Sequence, residues 1–154
     1  MIMDLRELYQ EMIIEHNRTP HNHYVMQDAT SRAEGFNPLC GDKFTLYLKI
    51  NEGVVIAASF IGKGCAISQA SASMMTDALK GKTLEEAECL FQRFHAMLTE
   101  ENSYTKSNHE KENLGRLEAL AGVKAYPARV KCATLAWHTF QAALHHSAAL
   151  VSTE

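Results

Sequence analysis

The sequence predicts an α+β fold, in which a small antiparallel sheet is packed with helices and the C-terminal half is helical. Three observations lead to this prediction. Residues 44–50 alternate apolar and polar side chains, which is the period of a β-strand. A second apolar run over residues 54–61 follows the turn sequence Asn-Glu-Gly, and the two runs form a predicted β-hairpin. Beyond residue 65 the apolar side chains recur at helical spacing instead.

Length and composition indicate a single domain over residues 1–154. The chain of 154 residues is 46% hydrophobic and 21% charged, which is ordinary for a globular protein. Its net charge of -3 argues against a nucleic-acid-binding surface. The sequence shows no secretory signal and no apolar run of membrane-spanning length, so we expect a cytoplasmic protein without nucleic-acid or membrane partners. In that compartment the four cysteines are expected to be free, metal-bound or catalytic rather than disulfide-bonded.

The N-terminal segment predicts an amphipathic helix. Asp4 is a candidate N-cap, with Glu7 three residues later, close to a capping box. Pro20 ends the helix, and residues 22–34 are polar and irregular, with room for one short strand near residues 25–33. The apolar residues that share one face of the helix are Leu5, Leu8, Tyr9, Met12 and Ile13.

Two helices are predicted directly after the hairpin. Cys65 opens a segment rich in alanine and serine, which is predicted to be a helix ending near Gly81. Thr83 and Glu86 form a capping box, which predicts the start of an amphipathic helix. Residues 100–113 are strongly polar and lack periodicity, so they are interpreted as a solvated excursion within the domain.

The C-terminal part is predicted to contain two more helices. A short helix is expected over residues 114–121, and Pro127 stops any helix that precedes it. The final helix is expected over residues 131–146. Its predicted buried face consists of Ala133, Ala136, Trp137, Phe140 and Leu144.

A cysteine and an aspartate flank a glycine just before the first strand of the hairpin, in the stretch "NPLCGDKF". Folding the hairpin about Glu52 places Asp42 opposite Gly62, and this brings Cys65 close to Cys40 and Asp42. The glycine between the two residues can bend the chain so that both side chains reach one ion. The sequence therefore predicts three ligands of a metal site at one end of the sheet.

A tetrahedral site needs a fourth ligand, and two cysteines compete for that place. Cys89 lies inside a predicted helix and is interpreted as a packing or surface residue. Cys132 begins the last predicted helix, where helix N-termini favour thiolates, and is the better candidate. The eight histidines show no paired metal-ligand spacing and are interpreted as surface or hydrogen-bonded residues. On spacing alone, reduced core cysteines remain an equal alternative to a metal site.

Three segments resemble, in order along the chain, the cysteine motifs of the SufU branch of the IscU-like iron–sulfur cluster assembly family. They are "NPLCGD", "GKGCAISQASASMM" and "YPARVKCATLAW", and the resemblance covers nearly the whole chain. The polar insertion resembles the one that distinguishes SufU from IscU proteins, and Lys131 stands where IscU proteins carry a histidine. The resemblance implies a three-stranded antiparallel sheet with helices packed on it.

The resemblance also implies a site and a partner. It implies that a PLP-dependent cysteine desulfurase of the SufS type is the partner, followed by downstream iron–sulfur assembly proteins. Cys40 aligns with the residue that accepts persulfide sulfur from that enzyme. The implied zinc site consists of Cys40, Asp42, Cys65 and Cys132.

Basic residues around the motifs have separate expected roles. Arg129 matches a family arginine at the desulfurase contact. Such a zinc site carries net negative charge, for which Lys131, Arg129 and Lys63 are the candidate compensating cations.

Three functions are compatible with these residues. The first is a zinc-dependent sulfurtransferase that accepts sulfur from the desulfurase and stimulates it. The second is a scaffold on which a transient iron–sulfur cluster is built and passed to apo-proteins. The third is a binding module whose zinc is purely structural. Lys131 in place of histidine, together with the insertion, favours the first.

Overall fold

The computed structural model describes residues 5–38, 41–99, 115–145 and 150–152. Its helices are α1 (Leu5–Arg18), α2 (Ala66–Leu79), α3 (Leu84–Thr99), a 3-10 helix (Gly115–Ala125) and α4 (Pro127–Leu144). Its strands are β1 (Ser31–Asn37), β2 (Asp42–Asn51), β3 (Val54–Lys63) and β4 (Leu150–Ser152). Asp4 and the predicted insertion at residues 100–113 lie outside the described residues.

The sheet has the strand order β3-β2-β1-β4. The first three strands pair in antiparallel fashion, which confirms the predicted α+β fold with a three-stranded antiparallel sheet. The short β4 adds a parallel partner to β1 and was not predicted.

Strand β1 was predicted near residues 25–33 and lies at Ser31–Asn37 instead. Its inward-facing positions alternate with more exposed ones, but they hold small or polar residues, so no apolar period is visible in the sequence. Gly35 shows the reason, since a Cβ at this position would lie 2.1 Å from Oγ1 of Thr139 on α4. Helix α4 packs so closely on β1 that larger inward-facing side chains would not fit there.

The predicted register of the central hairpin is wrong by two residues. Phe44 pairs with Gly62, where Asp42 was expected. Glu52 and Gly53 both have positive φ, at 52° and 75°, which makes a two-residue turn, and a bulge between Lys49 and Ile50 shifts the register further. Because the total error is an even number of residues, the predicted inward face of β2 is unchanged.

The two helices after the hairpin agree with their sequence signals. Cys65 is the N-cap of α2, and its side chain accepts a hydrogen bond from the backbone N–H of Ser68. The capping box of α3 is reciprocal. The N–H of Thr83 donates to Oε1 of Glu86 over 2.9 Å, and the N–H of Glu86 donates to Oγ1 of Thr83 over 3.1 Å.

Helix α4 begins at Pro127, four residues before the predicted start. Proline is favoured at the first position of a helix, where its missing N–H has no partner to lose, so Pro127 starts this helix instead of only ending the one before it. Cys132 therefore lies in the second turn of α4, and the expectation that it begins the helix is wrong.

The core lies between the sheet and the helices α2, α3 and α4. Trp137 is fully buried, as predicted, and its ring stacks on that of Phe94 with centroids 4.7 Å apart. The buried side chains of α2 are mostly alanine and serine, and the helix contacts α4 directly, since Oγ of Ser71 donates to the backbone oxygen of Ala133 over 2.5 Å. No helix in the described part of the chain has the length and apolarity needed to span a bilayer.

Candidate metal centre

Three of the four predicted ligands converge at one end of the sheet. One carboxylate oxygen of Asp42 and the Sγ atoms of Cys65 and Cys132 all lie within 4.8 Å of one another. Asp42 and Cys132 are fully buried, whereas Cys65 is half-buried. They come from the first residue of β2, the N-cap of α2 and the second turn of α4, so the centre forms only when sheet and helices pack together.

Strand pairing fixes the position of Asp42. Asn37, the last residue of β1, is the register partner of Asp42 across the hairpin that joins β1 to β2. Nδ2 of Asn37 donates to Oδ2 of Asp42 over 3.2 Å, and the backbone N–H of Cys65 donates to Oδ1 over 2.7 Å. Both carboxylate oxygens therefore have a donor that holds the carboxylate in place.

Two glycines shape the backbone around this arrangement, one by its lack of a side chain and one by its positive φ. A Cβ at Gly64 would lie 2.3 Å from Oγ of Ser68 and 2.8 Å from Oδ1 of Asp42. Gly64 thus allows the chain to pass directly over the carboxylate before α2 begins. Gly41 has a φ of 71°, which agrees with the predicted bend between Cys40 and Asp42.

The donor set fits a divalent cation. A fully buried carboxylate is costly unless a positive charge or a metal compensates it. Within the described ranges no lysine or arginine forms an ion pair with Asp42. Two sulfurs beside this carboxylate are ligands that zinc accepts, and three protein ligands leave one position of a tetrahedron to be filled.

The other predicted site residues are distributed as follows. Cys40 lies outside the described residues. Cys89 is exposed on α3 and does not belong to the cluster, which agrees with its interpretation as a surface residue. The side chains of Lys63, Arg129 and Lys131 are exposed. Arg129 lies on the wall of a cleft formed by α1, the 3-10 helix and the beginning of α4.

Sequence reasoning missed Asn37, which is also fully buried. Its Nδ2 lies 3.2 Å from Asp42 Oδ2 and 3.5 Å from Cys132 Sγ, so one amide group contacts two of the three converging ligands. The sequence feature that could have identified Asn37 is its position as the first residue of "NPLCGD", five positions before Asp42. Sequence motifs for metal sites are built from the spacing of the ligands, and an amide that does not bind the metal is not part of such a motif. The role of Asn37 becomes visible only in the pairing of β1 with β2.

Replacing Asn37 by alanine is expected to weaken zinc binding by about 10- to 100-fold, which is the usual effect of losing a hydrogen bond that orients metal ligands. The measurement is zinc retention against a competing chromophoric chelator. Asn17→Ala, at an exposed position on α1, is the matched control and should behave as wild type. Equal zinc retention by the Asn37 and Asn17 variants would contradict an orienting role for Asn37.

The chain was compared with known families and structures. The sequence model of the family described as the NifU-like N-terminal domain matches residues 8–144 of this chain. The chain is 40% identical over 144 residues to the iron–sulfur cluster assembly scaffold protein IscU of Streptococcus pyogenes serotype M1, covering 94% of this chain and 87% of that protein. It is 41% identical over 138 residues to the zinc-dependent sulfurtransferase SufU of Bacillus subtilis (strain 168), covering 90% of each.

A solved structure gives the same result. The crystal structure of a protein from Fervidobacterium islandicum AW-1, described as an iron–sulfur cluster assembly scaffold protein for the SUF system, matches with a TM-score of 0.79 at 33% identity. The match covers 92% of this chain and 99% of that one. These comparisons confirm the resemblance seen in the three cysteine motifs. The chain therefore belongs to the family of the NifU-like N-terminal domain, together with IscU and SufU proteins.

Proposed function

We propose that this protein is a zinc-dependent sulfurtransferase of iron–sulfur cluster assembly, which accepts persulfide sulfur from a PLP-dependent cysteine desulfurase and stimulates that enzyme. The observation that carries the proposal is the convergence of Asp42, Cys65 and Cys132 on one point. Cys40 precedes Asp42 by two positions, and covalent geometry keeps the Cα atoms of such residues within about 7 Å of each other. The relative that is named a zinc-dependent sulfurtransferase supports the assignment.

Zinc would be held by Cys40, Asp42, Cys65 and Cys132. When bound, it keeps its cysteine ligands in the thiolate form at neutral pH. Asn37 and the backbone N–H of Cys65 orient the carboxylate of Asp42. The exposed side chains of Lys63 and Lys131 would offset the net negative charge of the ligand set.

Cys40 is the ligand best suited to accept sulfur. Cys132 is fully buried, and Cys65 is engaged as the N-cap of α2, so modifying either would disturb packing or a helix end. In the sequence, Cys40 falls between the last residue of β1 and the first residue of β2, next to Gly41. Segments that connect two strands tolerate the addition of one sulfur atom better than a helix interior does.

The transfer step conserves atoms and electrons. The thiolate of Cys40 attacks the outer sulfur of the desulfurase persulfide, and a new S–S bond forms as the persulfide S–S bond breaks. The desulfurase cysteine leaves as a thiolate, and the transferred sulfur remains on Cys40 as a persulfide. Downstream iron–sulfur assembly proteins would then take this sulfur.

A cleft of about 830 Å³ beside the centre is a suitable contact surface for the desulfurase. Ile67 and Arg129 line it, two residues after Cys65 and three residues before Cys132 respectively, so the cleft borders the ligand-bearing ends of α2 and α4. Tyr126, also on its wall, is 63% exposed. Exposed aromatic and arginine side chains of this kind are typical anchors of protein interfaces.

Arg129→Glu is expected to raise the concentration that gives half-maximal desulfurase stimulation by about tenfold, because a reversed charge at an interface opposes association. Zinc content should not change. The measurement is desulfurase turnover titrated with each variant. Arg32→Glu, which reverses an exposed arginine on β1, is the control. An Arg129 variant with the wild-type titration curve would exclude Arg129 from the contact.

One turnover assay tests the proposal as a whole. Cognate desulfurase and cysteine are combined with the zinc-loaded protein or with metal-stripped protein, and sulfide release and persulfide on Cys40 are measured. We expect the zinc-loaded protein to stimulate the desulfurase and to acquire a persulfide on Cys40, and the metal-stripped protein to do neither. A zinc-loaded protein that gives neither would reduce the centre to a structural zinc site and reject the sulfurtransferase assignment.

A scaffold for a transient iron–sulfur cluster is the second candidate. The observation that favours it is the relative named as an assembly scaffold, which is 40% identical over nearly the whole chain. Lys131 directly precedes Cys132, at the position where the resemblance puts a histidine in IscU proteins, and this favours sulfur transfer instead. Anaerobic reconstitution with iron and sulfide separates the two, since a scaffold would yield a coloured protein that passes its cluster to an apo-ferredoxin.

A further inference from the structure

A second group of metal-ligating side chains lies towards the other end of α2. His16 is on α1, His21 is in the segment after it, and Asp77 is on α2. One ligand atom from each of these residues lies within 4.8 Å of the other two. Asp77 is twelve positions after Cys65, which corresponds to about 18 Å along the helix axis, so this group is separate from the first centre.

A single hydroxyl group positions the two histidines. Nδ1 of His16 lies 2.7 Å from Oγ of Ser73, and the backbone N–H of His21 donates to the same oxygen over 2.7 Å. His16 is only 5% exposed, and its ring centroid lies 4.4 Å from that of His21. Two imidazole rings this close together can each offer a ring nitrogen to one cation bound between them.

The carboxylate is also held in place. Oδ2 of Asp77 lies 2.5 Å from Nδ1 of His21, and Oδ1 accepts a hydrogen bond from Nδ2 of Asn22 over 2.9 Å. Asn22 has a φ of 56°, a left-handed conformation that asparagine tolerates better than most residues. Lys80 donates to Oδ1 of Asn22 over 2.5 Å and fixes the amide orientation. The side chains of His16 and Asp77 thus each have an outer partner, in Ser73 and Asn22 respectively, as the ligands in protein metal sites generally do.

We propose that His16, His21 and Asp77 form a second divalent metal site, which binds Zn²⁺ or Co²⁺ with water in the remaining position. Two imidazole nitrogens and one carboxylate oxygen are a ligand set that these ions accept. The donors must approach to about 3.3 Å of one another around a tetrahedral ion. The side chains of His21 and Asp77 are 42% and 39% exposed, so they are free to adjust, while the buried His16 stays in place.

Binding at this site would connect three parts of the chain. An ion held by α1, the following segment and α2 would stabilise the packing of α1, in addition to the hydrogen bond from Nε2 of Gln69 to the backbone oxygen of Asn17. The site contains no sulfur, so it is independent of sulfur transfer and of the proposed function. Its absorption spectrum with Co²⁺ would also differ from that of a site with thiolate ligands.

The test uses the full chain with its first centre already loaded with zinc, titrated with Co²⁺ under absorption and calorimetric detection. The expected result is one further equivalent with visible bands but no thiolate-to-cobalt charge-transfer absorption. His21→Ala and Asp77→Asn should each weaken this equivalent by at least about tenfold. His23→Gln is the control, because His23 is an exposed histidine whose ring packs on Phe60 outside the cluster.

Both test positions are partly exposed, so the variants are expected to fold, and circular dichroism checks this. Failure of the wild-type protein to bind a second equivalent would overturn the proposal. Retention of that equivalent in both variants would overturn it as well, and would assign the binding to other side chains.

Discussion

Cys40→Ser is expected to abolish persulfide loading and to lower desulfurase stimulation by about 100-fold or more, because a serine hydroxyl at neutral pH is a far weaker nucleophile than a thiolate. The remaining ligands Asp42, Cys65 and Cys132 stay within 4.8 Å of one another, so the variant should still fold and retain part of its zinc affinity. Mass spectrometry of the protein after reaction with desulfurase and cysteine measures the added sulfur directly.

The matched control for this change is Cys89→Ser. Cys89 is exposed on α3 and lies outside the cluster, so its replacement should leave loading and stimulation at wild-type values. If Cys40→Ser still carries one extra sulfur per chain after the reaction, Cys40 is not the acceptor. Peptide mapping would then show whether the half-buried Cys65 has taken that role.

Asp42→Ala is expected to remove most of the stability that zinc adds to the fold. Zinc at about 1,000 times its dissociation constant adds about 4 kcal/mol to the free energy of unfolding, and each tenfold loss of affinity removes about 1.4 kcal/mol of it. The substitution deletes one ligand and also leaves the donors of Asn37 and Cys65 without their buried acceptor. Thermal unfolding of zinc-loaded and metal-stripped protein measures the zinc-dependent part.

Asp28→Ala provides the comparison for this experiment. Asp28 is an exposed aspartate that pairs with Lys49 over 2.6 Å, and this partner lowers the pKa of Asp28 below its ordinary value. Removing the Asp28 carboxylate should leave the zinc-dependent part of the free energy of unfolding unchanged. An Asp42 variant whose zinc-dependent stability equals that of the wild type would mean that the carboxylate is not a ligand.

Local signals in the sequence were sufficient for much of the fold. The Thr83–Glu86 capping box and Cys65 as the first residue of a helical segment each depend on neighbours within a few positions, and both are found as predicted. Strand β1 was misplaced because close packing against α4 selects small and polar residues on its inward face. The residues next to β1 in the sequence do not indicate this packing, because α4 lies far along the chain.

The candidate centre was predictable only in the part that depends on a single hairpin. Asp42 and Cys65 are linked by the hairpin alone, and a register error of two residues left both on the correct side. Cys132 joins them through the packing of α4, which the sequence only indicated through a choice between two cysteines. Asn37 was missed because its contribution is a pair of hydrogen bonds across β1 and β2.

The turn at Glu52 and Gly53 lies at the opposite end of β2 from Asp42, about 30 Å away at the rise of an extended strand. A single residue inserted or deleted there would slip β3 by one residue against β2, turn the side chains of β3 to the other face of the sheet, and displace Cys65, which follows β3, from Asp42, which β1 holds in place. The length of a surface loop that never touches the ligands therefore controls whether they assemble. Changes of residue type in this loop should be tolerated far better than changes in its length, apart from the position that Gly53 occupies.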